Sequence, residues 1–208
     1  MAIPNEDVLI QKAAQGDNRA FEALVEAYEK SMFNLAFRLV PDKEDAMDIV
    51  QEVFLKAYQA LPKFRGDSRF STWIYRVCMN ASLDHLRRKQ RTQVFSLDEP
   101  IMLGESPITR DIRDDGDSVE DLVENRSLGD RVMKVLQDLE PVHRAVIILS
   151  DVRGFSYQEI ADIMGVSIGT VKSRLHRARN MVRRLLPREQ FVFPSVKSGE
   201  GGTTGELS

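Results

Sequence analysis

Apolar residues return at helical spacing through most of the chain, and prolines and glycines cut the pattern into segments. Val8, Leu9 and Ala13 follow Pro4, Asn5 and an acidic first turn, and Gly16 ends this short run. From Asn18 to Val40 the positions Phe21, Leu24, Val25, Tyr28, Met32, Leu35 and Leu39 hold the period until Pro41 stops it. Asp42 restarts it, and Ala46, Ile49, Val50, Val53, Phe54, Ala57 and Leu61 form one stripe closed by Pro62. After the loop KFRGDSR, Ser71 is expected to cap a fourth helix. That helix turns Ile74, Val77, Cys78 and Ala81 inward and ends in Arg87, Arg88, Lys89 and Arg91. The pattern predicts four helices around one small core.

Between Thr92 and Val119 the periodicity fades. Pro100 and Pro107 appear, and Asp98, Glu99, Glu105, Asp111, Asp114, Asp115 and Asp117 gather against Arg110 and Arg113. This composition predicts a flexible acidic linker, either a solvated spacer or a polyanion shaped to fill a basic channel on a partner. Helical period returns with Leu122, Val123, Leu128, Val132, Val135, Leu136 and Leu139. A further helix opens at Pro141 with Val142, Ala145, Val146 and Leu149 on one side. The expected fold is therefore all-α, with two small helical domains at 1–92 and 119–188, the linker at 93–118, and a glycine- and threonine-rich disordered tail at 189–208.

The segment from Gly154 to Pro187 has the most specific local grammar. Ser156 and Glu159 have capping-box spacing, Gly165 permits the positive φ of a tight turn, and Ser167 and Thr170 start the next helix. Helix, short turn and helix is a DNA-reading unit. At about 100° per residue, Val171, Leu175, Ala178, Val182 and Leu185 fall on an inward arc, while Lys172, Ser173, His176, Arg177, Asn180, Arg183 and Arg184 point away. No acidic residue lies between Lys172 and Arg188, although a merely solvated helix gains from interspersed glutamates. Thr170, Lys172, Ser173, His176 and Arg177 are placed to reach base edges in a major groove, and Arg179, Arg183 and Arg184 to meet phosphates.

Two N-terminal stretches carry further candidates. The segment EDAMDIVQEVFLKAYQAL presents Asp45, Asp48, Gln51, Glu52 and Lys56 on a polar side. The segment from Phe64 to Arg91 interleaves Phe64, Arg65, Arg69, Phe70, Trp73, Tyr75 and Arg76, a mixture suited to single-stranded nucleic acid, where bases stack and phosphates pair. Gly66 lets the loop bend, and Asn80 can hydrogen-bond an extruded base. Phe70, Trp73 and Tyr75 read equally as core aromatics, and Trp73 can serve both purposes.

Composition narrows the classes. The net charge of −3 over 208 residues is not that of a uniformly basic coat, so the local separation of charge matters more than the total. A single cysteine, Cys78, allows no internal disulfide and no cysteine-rich zinc cluster, and His85 and His143 lack ligand spacing to His176, so no metal or other cofactor is expected. The start has no export signal and no apolar run is long enough to span a bilayer, which predicts a cytoplasmic protein without membrane insertion. A phosphate-cradling glycine loop and a nucleophile elbow are both missing, so the chain is not expected to be an enzyme. A response regulator would share the terminal motif but would also need a strand-and-helix receiver domain, which the sequence does not contain.

The order of DIVQEVFLKAY, FRGDSRFSTWIYRVCMN, an acidic linker and FSYQEIADIMGVSIGTVKSRLHRAR closely resembles the extracytoplasmic-function, or group-four, sigma factors of bacterial RNA polymerase, over about residues 5 to 188. The resemblance implies a sigma domain two and a sigma domain four joined by the linker, acting in promoter-specific transcription initiation. It implies core-polymerase contact at the clamp helices through Asp48, Gln51 and Glu52, with domain four at the flap region. It also implies capture of melted minus-ten DNA by Phe64, Arg65, Trp73 and Asn80, with Arg76 beside them, and reading of the minus-thirty-five duplex by Lys172, Ser173, His176 and Arg177. The linker would lie in the polymerase's RNA exit path. An anti-sigma factor that can hold the protein at the inner membrane face is the further expected partner, and no stable homo-oligomer is expected. Nothing in the tail from Phe191 assigns it a task.

Overall fold

The computed structural model describes residues 5–64, 66–95 and 133–185. Among them every regular element is helical. Helix α1 spans Glu6–Ala14, α2 Asn18–Leu39 and α3 Lys43–Ala60, followed by a 3₁₀ turn at Leu61–Lys63 and by α4 at Phe70–Phe95. Residues 133–137 belong to α5; then come α6 at Pro141–Ile147, a π-helical turn at Ile148–Val152, α7 at Tyr157–Met164 and α8 at Ile168–Leu185.

Local chemistry explains the boundaries. The carboxylate of Asp17 accepts the backbone N–H groups of Arg19 at 2.9 Å and Ala20 at 3.2 Å, and Asp42 does the same for Asp45 at 2.9 Å, so α2 and α3 start at capped ends. Ser71 does not cap α4 as the sequence suggests. The helix begins at Phe70, with Arg69 two residues before Ser71 in the cap position, and its first bond runs from the N–H of Trp73 to the carbonyl of Arg69 at 3.1 Å. Phe70 moves into the helix because its ring is buried against Phe64, Trp73 and Tyr28, and that packing outweighs the serine cap preference.

Helix α2 is the hub of the first unit and packs on α1, α3 and α4. Leu24, Met32, Leu35 and Leu39 are fully buried on it, facing Ile49 and Val53 of α3 and Ile74 and Cys78 of α4 in one cluster. The Tyr28 hydroxyl donates to the Glu6 carboxylate and ties α1 to α2. Cys78 is wholly buried with its thiol 3.6 Å from the carbonyl of Met32, and burial pushes its pKa up to about 12, so it behaves as a small core residue.

Asp45 at the start of α3 accepts Lys89 of α4 at 2.8 Å and lies 3.2 Å from His85. The hydrogen bond from Lys89 holds the Asp45 carboxyl below the usual range, against the opposing effect of burial. A carboxylate depressed in the folded state stabilises above its unfolded pKa, and the contribution disappears as pH falls through the folded one. Asp45→Asn is expected to cost about 1 kcal/mol or less at pH 7, because Lys89 is half exposed and solvent screens the pair. The gap between mutant and wild-type denaturation midpoints should close below about pH 4.

The second unit departs from the sequence reading in two ways. Arg144 through Ser150 are all buried, so α6 has no solvated side, and its continuation as a π-helical turn was not legible from periodicity. Leu185, placed inward by the count of about 100° per residue, is 50% exposed at the last described turn. The two units also touch: α4 packs on α6 and α7, and buried residues of both join one apolar cluster. Residues 96–132 and 186–208, which hold most of the acidic segment, Leu122, Val123, Leu128, Val132 and the tail, lie outside the described residues, as does Arg65.

Candidate nucleic-acid interface

Helix α7 opens on a complete capping box. The Ser156 hydroxyl accepts the N–H of Glu159 at 3.3 Å, and the Glu159 carboxylate accepts the N–H of Ser156 at 2.9 Å. Gly165 closes α7 with φ of 63°, the left-handed conformation that the turn requires. Ser167 then accepts the N–H of Thr170 at 3.1 Å and starts α8. Val171, Leu175, Ala178 and Val182 are buried beneath α8, and α6 and α7 pack against that side.

The opposite side of α8 is polar and open. Lys172, Ser173, His176 and Arg177 are exposed, and Thr170 is half-buried with its hydroxyl 2.9 Å from that of Ser167. Lys172 sits 5.9 Å over the Tyr157 ring, and His176 lies 3.0 Å from the Asn180 amide, so two of these side chains are already oriented by neighbours. Arg179 differs. Its Nε donates to Asp151 at 3.0 Å and its Nη2 to the same carboxylate at 2.5 Å, and Asp151 is almost buried. That fork raises the Arg179 pKa and braces α8 against the π-helical turn. The structure therefore pairs Arg179 with Asp151 in the free chain, and the phosphate contact expected of it from the sequence stands as a proposal.

In the first unit α4 carries a second polar side. Trp73, Arg76 and Asn80 follow at i, i+3 and i+7 and so lie along one face, with Asn80 exposed and Trp73 and Arg76 half-buried. Phe64 flanks this face, its ring 5.2 Å from Trp73 and 5.9 Å from Phe70. Phe70 and Tyr75 are core residues, so of the three aromatics with two readings only Trp73 keeps an open edge. Gly66, with φ of 74°, provides the bend before this helix.

On α3, Asp48 and Gln51 are exposed, while Glu52 is half-buried, 2.6 Å from Lys56 and 3.8 Å from Arg88. Gln51 also borders a groove of about 380 Å³ lined by Glu29, Lys30, Phe33, Met47 and Val50. The sequence reading missed this groove. Its signal was Met47, an apolar residue off the inward stripe that ends up 46% exposed. Among the described residues no cluster of histidine, cysteine or carboxylate side chains could hold a metal ion, and no helix is long and apolar enough to cross a membrane.

Comparison with known proteins gives the family. The model of sigma-70 region 2 matches residues 24–92, and that of sigma-70 region 4 matches residues 129–182. These two regions define a sigma factor, the subunit that directs transcription initiation with RNA polymerase. The chain belongs to the extracytoplasmic-function group of these factors. It is 36% identical to the RNA polymerase sigma-H factor of Pseudomonas aeruginosa over 86% of this chain and 92% of that one. It is also 36% identical to the ECF RNA polymerase sigma-E factor of Escherichia coli, over 85% and 92%. Among solved structures it resembles CnrH in complex with the cytosolic domain of CnrY, with TM-score 0.61, 27% identity and coverage of 86% and 94%. It also resembles the Bartonella quintana sigma factor RpoE in complex with the anti-sigma factor NepR, with TM-score 0.62, 27% identity and coverage of 79% and 95%.

Proposed function

We propose that this sigma factor divides promoter recognition between its two polar faces. The outward side of α8 reads the minus-thirty-five element as duplex, with Lys172, Ser173, His176 and Arg177 toward base edges and Thr170 beside them at the groove. The face of α4 captures melted minus-ten DNA. Trp73, supported by Phe64, offers a stacking surface, Arg76 a positive charge and Asn80 an amide that can pair with an extruded base. Arg65 would join this group from the loop. Asp48, Gln51 and Glu52, with the groove beside Gln51, form the surface for the clamp helices of core polymerase. Domain four would meet the flap region.

The observation that carries this reading is the sorting of α8. Four polar or basic side chains stand exposed on a helix whose other side is fully packed, directly after a capped helix and a glycine turn. The protein would act in the cytoplasm, where polymerase is. An anti-sigma factor is the natural inhibitor, by analogy with the two sigma complexes above.

Reconstitution tests it. Purified protein with core polymerase should form a holoenzyme that starts transcription at selected promoters, and failure to bind core in the absence of any inhibitor would sink the proposal. Asn80→Ala should reduce open complexes about tenfold, the loss of one well-placed set of hydrogen bonds. Binding of minus-thirty-five duplex should stay within about twofold, because Asn80 makes no packing contact that the fold needs.

A further inference from the structure

Three polar side chains on the outward side of α8 are joined in a hydrogen-bonded string. His176, Asn180 and Arg183 follow at i, i+4 and i+7, so they lie along one face of the helix. The Nε2 of His176 lies 3.0 Å from the amide nitrogen of Asn180, and Nη1 of Arg183 donates to the Asn180 side-chain oxygen at 3.4 Å. Asn180 is half-buried, whereas His176 is exposed, with Lys172 and Ser173 one turn before it.

A guanidinium carries donors only, so the Asn180 oxygen has to face Arg183 and the amide NH₂ has to face His176. That NH₂ is also a donor only. The ring nitrogen that meets it must accept, which leaves Nε2 without a proton and places the ring hydrogen on Nδ1. Either other state of the ring would set two N–H donors against each other, and turning the amide over would only move that clash to Arg183. We infer that Asn180 is a positioning residue that fixes His176 as an Nδ1–H donor, so that His176 selects a base through an acceptor on its major-groove edge. The inference rests on the proposed reading of the minus-thirty-five duplex by α8.

Base edges differ in what they offer such a donor. Guanine O6 and N7, thymine O4 and adenine N7 accept, while cytosine N4 and adenine N6 donate. A ring held as Nδ1–H bonds the first set and meets cytosine donor to donor. An unrestrained imidazole exchanges tautomers and turns either nitrogen outward, so it accepts both sets and discriminates less. Asn180 also holds the ring before DNA arrives, which lowers the ordering cost of the contact. The guanidinium of Arg183 keeps its charge and further N–H groups, so its bond to Asn180 is compatible with a phosphate contact.

The test uses the full chain with ¹⁵N-labelled histidine, observed by NMR at about pH 8, where an imidazole is neutral. The His176 signals, assigned among the three histidines by their loss in His176→Ala, should show Nδ1–H in the wild type. Asn180→Ala should return the ring to the Nε2–H form that a free histidine side chain favours. Asn180→Asp, whose carboxylate accepts from Nε2–H, should hold it there. Titrations against single-base variants of a duplex from a promoter that the holoenzyme transcribes give the second readout. His176→Ala marks the base pair at which discrimination is lost. At that pair Asn180→Ala should lose about three- to tenfold of the preference for the accepting base, the effect of one hydrogen bond, and Asn180→Asp should shift the preference toward a base that donates. A wild-type ring protonated on Nε2 would overturn the inference, as would a tautomer that Asn180→Ala leaves unmoved. Discrimination lost in His176→Ala but kept in Asn180→Ala would remove the positioning role and leave duplex reading intact. No loss in His176→Ala would refute the base contact itself, whatever the tautomer of the free protein.

Discussion

Arg177→Ala is expected to weaken binding to minus-thirty-five duplex by about 10- to 100-fold, the equivalent of about 1–3 kcal/mol for an arginine that meets a base edge. Arg177 is exposed on α8 and lies beyond the packed side held by Leu175 and Ala178, so the fold should lose almost nothing. Duplex titrations with the intact element and with single-base variants check it. If Arg177 reads a base, the loss should be largest on the correct sequence and specificity should relax at one position. If it meets only phosphate, affinity should fall evenly over all sequences and the salt slope should shrink by about one. Unchanged affinity and promoter choice would remove α8 from duplex reading.

The second large effect lies far from any DNA. Leu35→Ala is expected to destabilise the first unit by about 3 kcal/mol or more. Leu35 has no exposed surface and sits on α2, the helix that α1, α3 and α4 all pack against. Small domains have only about 5–15 kcal/mol of stability in total, so such a loss is a large fraction of it. Chemical denaturation should show a lower midpoint with the same slope. A loss below about 1 kcal/mol would mean that this site repacks and that α2 is not the hub. Minus-ten capture should fail together with stability, whereas Asn80→Ala should separate the two.

Much of this protein was legible before its structure. The stop of α2 and the start and stop of α3 followed from Pro41, Asp42 and Pro62, because caps and prolines act through backbone groups within a few residues. The capping box at Ser156 and the left-handed Gly165 were readable for the same reason, and so was the outward set on α8, since helical period alone sorts its faces. The start of α4 was less legible. Its position depends on where the ring of Phe70 finds a pocket, and that pocket is built by Tyr28 and Phe64 from elsewhere in the chain.

The task of Arg179 shows the limit most clearly. On the helix wheel it belongs with Arg183 and Arg184, and only the approach of Asp151 from the π-helical turn binds it to the protein. Arg144 is the same case in reverse. An arginine inside the apolar run from Val142 to Leu149 is a local anomaly, but a sequence cannot say which carbonyls will receive it.

By itself, then, the sequence determined the helices, the helix-turn-helix and the polar sides of α4 and α8, because each depends on residues close together along the chain. Only the tertiary structure decided that Arg179 pairs with Asp151, that Gln51 borders a groove, and that the two units meet at Tyr75 and Phe155. Those outcomes depend on how burial and charge balance between segments far apart in sequence, and a local pattern carries no record of that balance.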